Sequence, residues 1–312
     1  MMSEESFYSL DETPPGHRSG FVAVIGRPNV GKSTLMNRFV GQKVAIVSPK
    51  PQTTRSRILG ILTREDAQVI FVDTPGLHRP RHKLGQAMVA TATGVLPDAD
   101  VVLFIVDVSV PPTDEDRMII ELIRKHTDAP IVLVLNKMDL LPPEKVKPHT
   151  EAYWEMVPGH HEWMMTTATK GENLDKLLAR IVGALPEGPR YYPGDQVTDQ
   201  TEREIAAELV REQVLSHIRQ EVPHAVAVVV EEFKERENGV VYIAANVFVE
   251  KDSQKGILIG RGGKMLRRIG SAARRQIERM TGGRIYLDLW VKVRKGWRQD
   301  EEELRRLGLD QR

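Results

Sequence analysis

Gly26-Arg27-Pro28-Asn29-Val30-Gly31-Lys32-Ser33 matches the spacing GxxxxGK[ST], which sets a lysine and a hydroxyl directly behind a glycine-rich loop. Glycines let such a loop fold tightly, so that successive backbone N–H groups point at phosphate oxygens near the positive end of the next helix. Lys32 is then placed for β- and γ-phosphates and the Ser33 hydroxyl for Mg²⁺, with Thr34 next in the same helical turn. The plain alternative is a glycine turn between strand and helix. The setting favours the phosphate loop, because an apolar run (Phe21–Ile25) precedes it and a helical pattern (Lys32–Val40) follows.

Three further strings complete a nucleotide site. Asp73-Thr74-Pro75-Gly76 begins 41 residues after Lys32, at the end of the apolar run Val69–Val72. An aspartate there holds Mg²⁺ through a water, and the Gly76 N–H can contact a γ-phosphate, although Asp-x-Pro-Gly is also an ordinary turn. Asn136-Lys137-Met138-Asp139 follows the run Ile131–Leu135. A carboxylate at Asp139 can accept from both N1–H and the 2-amino group of guanine. Adenine offers neither donor and would leave the carboxylate unpaired, at a large desolvation cost. Asn136 can tie loops together and reach N7 or O6, and the Lys137 stem can lie along the ring. Thr167-Ala168-Thr169 stands where a backbone N–H would meet the guanine carbonyl. The joint order of these strings implies GTP and GDP as ligands with Mg²⁺, and it opposes an ATP-dependent enzyme such as a kinase.

A second chemistry lies near the other end of the chain. Gly260-Arg261-Gly262-Gly263 is preceded by Ile257 and Ile259 and followed by Lys264, Arg267 and Arg268. Glycines permit close approach of a phosphate backbone, the cations neutralise it, and an apolar face of Ile257, Ile259 and Ile269 can hold bases. Net charge is only +1, yet residues 255–298 hold thirteen Lys or Arg against Glu278 and Asp288. That segment is about +11, so a polyanion-binding end is joined to an acidic body. A solvated basic helix is the bland alternative.

The elements that must position these groups are legible as patterns. Short Val- and Ile-rich runs at 21–25, 58–62, 69–72, 101–106, 131–135 and 163–166 read as strands buried on both faces. Helical patterns at 32–40, 113–126 and 174–185 lie between them. Residues 21–185 are therefore expected to form an α/β domain, a mostly parallel sheet with helices on both faces. Residues 1–20 are expected to be a disordered lead-in, and the Pro- and Gly-rich stretch 186–200 a linker. Residues 201–300 read as a smaller α+β domain in the order αββααβ. Its elements are a helix at 202–221, strands at 225–231 and 240–249, two helices on either side of the glycine loop, the second basic and running to about Met280, and a strand at 284–293. Residues 301–312 read as a charged tail.

Composition narrows the class. The chain of 312 residues is long enough for two domains and contains no cysteine, which removes disulfides and thiolate metal sites. Its nine histidines, including the pair His160-His161, form no H-E-x-x-H pattern and read as surface or structural. No apolar run reaches the roughly 20 residues of a membrane span, and the N-terminus lacks signal-peptide features, so a soluble, cytoplasmic protein is expected.

The four nucleotide motifs resemble the translation-factor-related class of P-loop GTPases. Gly26 through Ser33, Gln52-Thr53-Thr54-Arg55, Leu185-Pro186 through Tyr192-Pro193 and Gly260-Arg261-Gly262-Gly263 are similar to the Era family, the last lying in a type II KH domain. The resemblance covers residues 20–300 and implies a GTP-hydrolysing switch with Lys32, Thr54, Asp73 and Gly76 at the reaction. Segment 43–57 would sense the γ-phosphate, with Thr54, or its neighbour Thr53, closing on Mg²⁺. Leu77 stands where Ras-like GTPases carry a water-orienting Gln, so slow intrinsic turnover is expected. Leu77 resembles the hydrophobic-substituted GTPases, and that resemblance implies a K⁺ ion at Asn29 that could supply the charge an arginine finger gives elsewhere. The implied partners are the 3′ region of 16S ribosomal RNA and the small ribosomal subunit, served by a monomer. The competing expectation is a GTPase recruited through its basic end to a protein or to the inner face of the cell membrane, where it would be peripheral. The strand–GxxG–helix–strand order argues against a simple membrane-lying helix.

Overall fold

The computed structural model describes residues 13–80, 82–157, 159, 162–218 and 225–309. The His160-His161 pair lies outside them. The chain forms two compact units. One comprises residues up to Val44, Arg57–His78 and Ala90–Asp199; the other comprises Ala45–Ser56, Arg79–Val89 and the chain from Gln200 onward.

The first unit is built on six strands: β1 (Arg18–Ile25), β2 (Ile58–Thr63), β3 (Ala67–Asp73), β4 (Val101–Asp107), β5 (Ile131–Asn136) and β6 (Glu162–Thr166). Their order is β2-β3-β1-β4-β5-β6; only the edge strand β2 runs antiparallel. Every residue of β3 and β5 is buried. Successive strand residues point to opposite faces, so both faces must be covered, which is why these strands read as unbroken apolar runs.

Helices lie between the strands and after the last: α1 (Lys32–Val40), α2 (Lys83–Gly94, its residues up to Val89 belonging to the second unit), α3 (Asp114–His126), α4 (Val146–Met156) and, after β6, α5 (Leu174–Ala184). α1 stops at Gly41, whose left-handed φ of 78° suits glycine. α3 starts in a capping box, the Thr113 hydroxyl accepting from Asp116 N and the Asp116 carboxylate from Thr113 N.

The second unit contains α6 (Glu202–His217), β7 (Ala227–Glu235), β8 (Val240–Val249), α7 (Asp252–Ile259), α8 (Lys264–Thr281), β9 (Arg284–Val293) and α9 (Glu301–Arg306). The expected αββααβ order is present. β7 and β8 pair antiparallel, β8 and β9 parallel. Leu209, Val210 and Val214 of α6 and Ile269, Ala273 and Ile277 of α8 share one core with Ile243, Ala245, Val247, Ile285 and Val291 of the sheet. Ile46 belongs to the same core.

Several boundaries differ from the sequence reading. Strand β1 begins at Arg18, inside the expected lead-in, because Arg18, Ser19 and Gly20 pair with Ala67, Gln68 and Val69; residues 1–12 lie outside the described set. The stretch 186–199 is no free linker. Gln68 donates to the Tyr192 carbonyl and Ser19 Oγ to that of Pro189, and Leu59 N donates to Asp199. The first helix of the second unit ends at His217 rather than 221, and residues 219–224 lie outside the described set. The glycine loop lies between two helices, α7 and α8, as the αββααβ order requires. The charged tail contains α9, capped by Asp300 and anchored by buried Leu304. Among the described residues no helix is long and apolar enough to cross a membrane.

Candidate functional site

In the first unit the strand ends place the motifs side by side. Val24 is level with Asp73, Ile25 with Phe104, Asp107 with Asn136, and Asn136 with Thr166. The phosphate loop leaves β1, Asp73 closes β3, and Asn136 closes β5. All lie at the carboxyl ends of the parallel strands, where such sheets bind ligands.

Close approach dictates the glycines. A Cβ on Gly26 would lie 2.2 Å from the Ile105 carbonyl oxygen, and one on Gly76 would lie 2.6 Å from the Pro28 Cα. Asn29 turns the loop in left-handed conformation at φ 65°. Lys32 is buried, its ammonium donating to the carbonyls of Gly26 (3.2 Å) and Arg27 (3.0 Å). Burial pushes its pKa down to about 8, against a smaller upward pull from Asp73. Ser33 Oγ donates to Asp73 Oδ2 at 2.5 Å, so a hydroxyl and a carboxylate already converge. That oxygen donor set suits a hard divalent cation, and the residues fit Mg²⁺. Thr74 is buried, donating to the Val24 carbonyl, while Leu77 points into the core and bonds through its N–H to Gly26 O.

The guanine-reading string is braced by one side chain. Asn136 Nδ2 donates to Val30 O at 2.7 Å, and its Oδ1 accepts from Thr166 Oγ1 (3.1 Å) and Ala168 N (3.0 Å). Phosphate loop, β5 and the Thr167-Ala168-Thr169 loop are thus tied by a single buried amide. Lys137 sits at φ 64° with its ammonium 2.6 Å from Asp107 Oδ2. Met138 and Asp139 follow in a short 3₁₀ turn.

Three partners escaped the sequence reading. Asp107 accepts from Lys137 and Ser109; burial alone would raise its pKa, but those bonds outweigh it and hold it low. A carboxylate ending the run Val101–Val106 was the available signal. Arg27 turns to Asp116, at 2.7 Å, fastening the phosphate loop to the start of α3. Lys170 lies 3.4 Å from the Asp139 carboxylate, with its own side chain largely exposed.

Thr53 and Thr54 are grouped with the second unit rather than with Ser33 and Asp73. Thr54 is buried, and the Thr53 carbonyl accepts from Arg211. Arg55 is buried beneath Trp297, with its guanidinium carbon 5.7 Å from the ring centroid and a bond of 2.6 Å to Val226 O. Val47 N donates to Glu212.

In that same unit the glycine loop joins α7 to α8. Gly260, Gly262 and Gly263 take φ of 69°, 61° and 74°, and a Cβ on Gly260 would strike Met265 at 2.7 Å. Arg261, Lys264 and Arg268 are exposed, while Arg267 bends back to donate to Gly262 O. Ile257 is exposed and Ile259 half-buried, as an apolar groove wall requires. Ile269 is the exception: it is fully buried in the core of α8 and cannot touch a base.

This fold and site define a P-loop GTPase domain followed by a KH domain. Residues 21–137 match the family described as 50S ribosome-binding GTPase, and residues 221–298 match the KH domain. GTPase Era of Heliobacterium modesticaldum is 48% identical, the match covering 95% of this chain and 98% of the relative. GTPase Era of Caldanaerobacter subterraneus subsp. tengcongensis is 49% identical over 94% and 98%. A crystal structure of Era in complex with MgGDPNP and nucleotides 1506–1542 of 16S ribosomal RNA superimposes with a TM-score of 0.91 at 39% identity, covering 94% of this chain and 99% of that one. The chain belongs to the Era family and is a GTPase.

Proposed function

We propose that GTP binding and hydrolysis gate the attachment of the KH domain to the 3′ region of 16S ribosomal RNA, during assembly of the small subunit, by a cytoplasmic monomer. The observation that carries this reading is the make-up of the second unit: Thr53 and Thr54 of the γ-phosphate-sensing stretch share one compact body with Gly260–Gly263. The relative that holds MgGDPNP and nucleotides 1506–1542 supports the choice of ligands. Lys32 and the loop N–H groups bind the triphosphate, Asn136 and Asp139 orient the base, and Ser33 and Asp73 are the residues that would hold Mg²⁺. When bound, Mg²⁺ supplies positive charge to the β- and γ-oxygens.

Recruitment to a membrane has no comparable support. The apolar stripe of α8, Ile269, Ala273 and Ile277, is already consumed by the core, so this basic helix has no apolar stripe of its own to lay into a bilayer.

Two measurements test the reading. Replacing Arg261 and Lys264 together by Ala should weaken binding to an RNA of the 16S 3′ region about tenfold or more and lower the log–log salt slope by about two. Unchanged affinity and slope would remove the clamp. With Leu77 buried, water positioning and charge must come from elsewhere, and Asn29 is our candidate for holding K⁺. GTP turnover should then be faster in KCl than in NaCl at equal ionic strength; equal rates would exclude that ion.

A further inference from the structure

The guanine-reading string contains one side chain whose contribution depends on shape rather than on hydrogen bonding. Lys137 offers the base a methylene stem, and a lysine stem free in water samples many rotamers. Such a contact adds little to affinity unless the stem is ordered before the nucleotide arrives. Both ends of this stem are fixed. At its root Lys137 holds a left-handed φ of 64°, a conformation that costs energy for a residue with a Cβ and persists where neighbours impose it. The Lys137 carbonyl accepts from Leu140 N at 3.0 Å, closing the turn that follows. At its tip the ammonium lies 2.6 Å from Asp107 Oδ2.

Asp107 is itself built into place. As the last residue of β4 it stands level with Asn136 of β5, and Val108 N donates to the Asn136 carbonyl at 3.0 Å. Its second carboxylate oxygen accepts from Ser109 N (3.1 Å) and Ser109 Oγ (2.6 Å). Its backbone carbonyl accepts from the hydroxyl of buried Tyr153 at 3.1 Å. The Lys137 and Asp107 side chains are 30% and 17% exposed, so water screens this pair less than the solvated pairs that contribute almost nothing.

We infer that Asp107 is a positioning residue for base recognition: it holds the Lys137 ammonium so that the stem is ordered before the nucleotide binds, while Ser109 aligns the carboxylate. The inference rests on the assignment of the base site to Asn136 and Asp139. A contact along the face of a ring does not depend on its exocyclic groups or on the number of phosphates. Asp107 therefore sets how tightly the nucleotide is held and leaves the choice of base to Asp139.

The test is a double-mutant cycle on the full chain, with GDP, GTP and xanthosine triphosphate each displacing a fluorescent GDP. Asp107→Asn should weaken GDP and GTP by the same factor, about tenfold, the cost of ordering one long side chain on binding. Ser109→Ala, which keeps the carboxylate, should weaken both about threefold. In a Lys137→Met chain, Asp107→Asn should change affinity less than about twofold, because the group it positions is gone. A brace that merely supported the fold would cost the same in both backgrounds. Preference for GTP over xanthosine triphosphate should survive Asp107→Asn and reverse in Asp139→Asn. The inference is overturned if Asp107→Asn leaves affinity unaltered, if its loss persists in the Lys137→Met chain, or if GTP is weakened and GDP is not. An Asp139→Asn chain that still prefers guanine would instead overturn the base-site assignment, and this inference with it. Thermal unfolding without nucleotide shows which variants fold; should Asp107→Asn fail, the cycle of Ser109→Ala with Lys137→Met decides in its place.

Discussion

Asp139→Asn should cost the protein on the order of 10²- to 10³-fold in GTP affinity while raising its affinity for xanthosine triphosphate, a reversal of base preference with no change of fold. The carboxylate has two acceptor oxygens for the two N–H donors of guanine. An asparagine offers one acceptor and one donor, and its NH₂ confronts the 2-amino group. Xanthine carries a carbonyl at that position and so accepts what asparagine donates. The exposed Lys170, 3.4 Å away, adds little because it is solvated. Competition of the two triphosphates against a labelled diphosphate measures the effect. A variant that keeps its preference for guanine would refute the assignment of Asp139.

Lys32→Met should abolish nucleotide binding and yet leave the nucleotide-free protein more stable. Burial pulls the lysine down to about 8 from 10.5. Below pH 8 the ammonium is charged in folded and unfolded chains alike, and its burial cost, about 3 kcal/mol by the shift, is present in full. Between about pH 8 and 10.5 the unfolded chain binds more protons than the folded one, so stability rises with pH across that window. Methionine fills similar space without charge. After subtraction of the lost bonds to the Gly26 and Arg27 carbonyls, a net gain of roughly 1–2 kcal/mol at pH 7 is expected, fading as pH approaches 10. Affinity for GTP should fall at least about a hundredfold, since the charge-assisted bonds to the β- and γ-oxygens are gone. Thermal unfolding with and without saturating GTP separates the two effects. The wild type should gain stability from the ligand and the variant should not. A variant that is destabilised, or still stabilised by GTP, would contradict this account of Lys32.

Much of this was legible because the phosphate-loop, Asp73 and Asn136 motifs sit at strand ends, and the strands are unbroken apolar runs. Asn136 and Asp73 could be placed from spacing alone. What sequence missed has physical causes. α2 carries Gly85 and Gly94 and three threonine or valine positions that favour other conformations, and α4 carries Pro148 in its first turn; neither announces itself as a helix. β7 was cut short at Glu231 because its second half is Glu-Glu-Phe-Lys-Glu and a register shift lies between Val230 and Glu232. Ile269 looked like part of an RNA-facing row, but in a helix only packing decides which apolar residues turn inward. The tie from Asn136 to Val30 spans 106 residues and has no local signature at all.

The membership of the two compact units has one more consequence. The chain passes from one to the other at residues 44/45, 56/57, 78/79, 89/90 and 199/200. No single cut can therefore release either body whole. A fragment beginning at Gln200 would lack Ile46 from one core and Leu84 and Met88 from another, leaving Ala227, Phe248 and Trp297 with only part of their cover. The KH-bearing half of this protein is in that sense not a module that could be borrowed or inherited by itself. Part of its interior is written into residues 45–56 and 79–89, more than a hundred positions earlier in the chain.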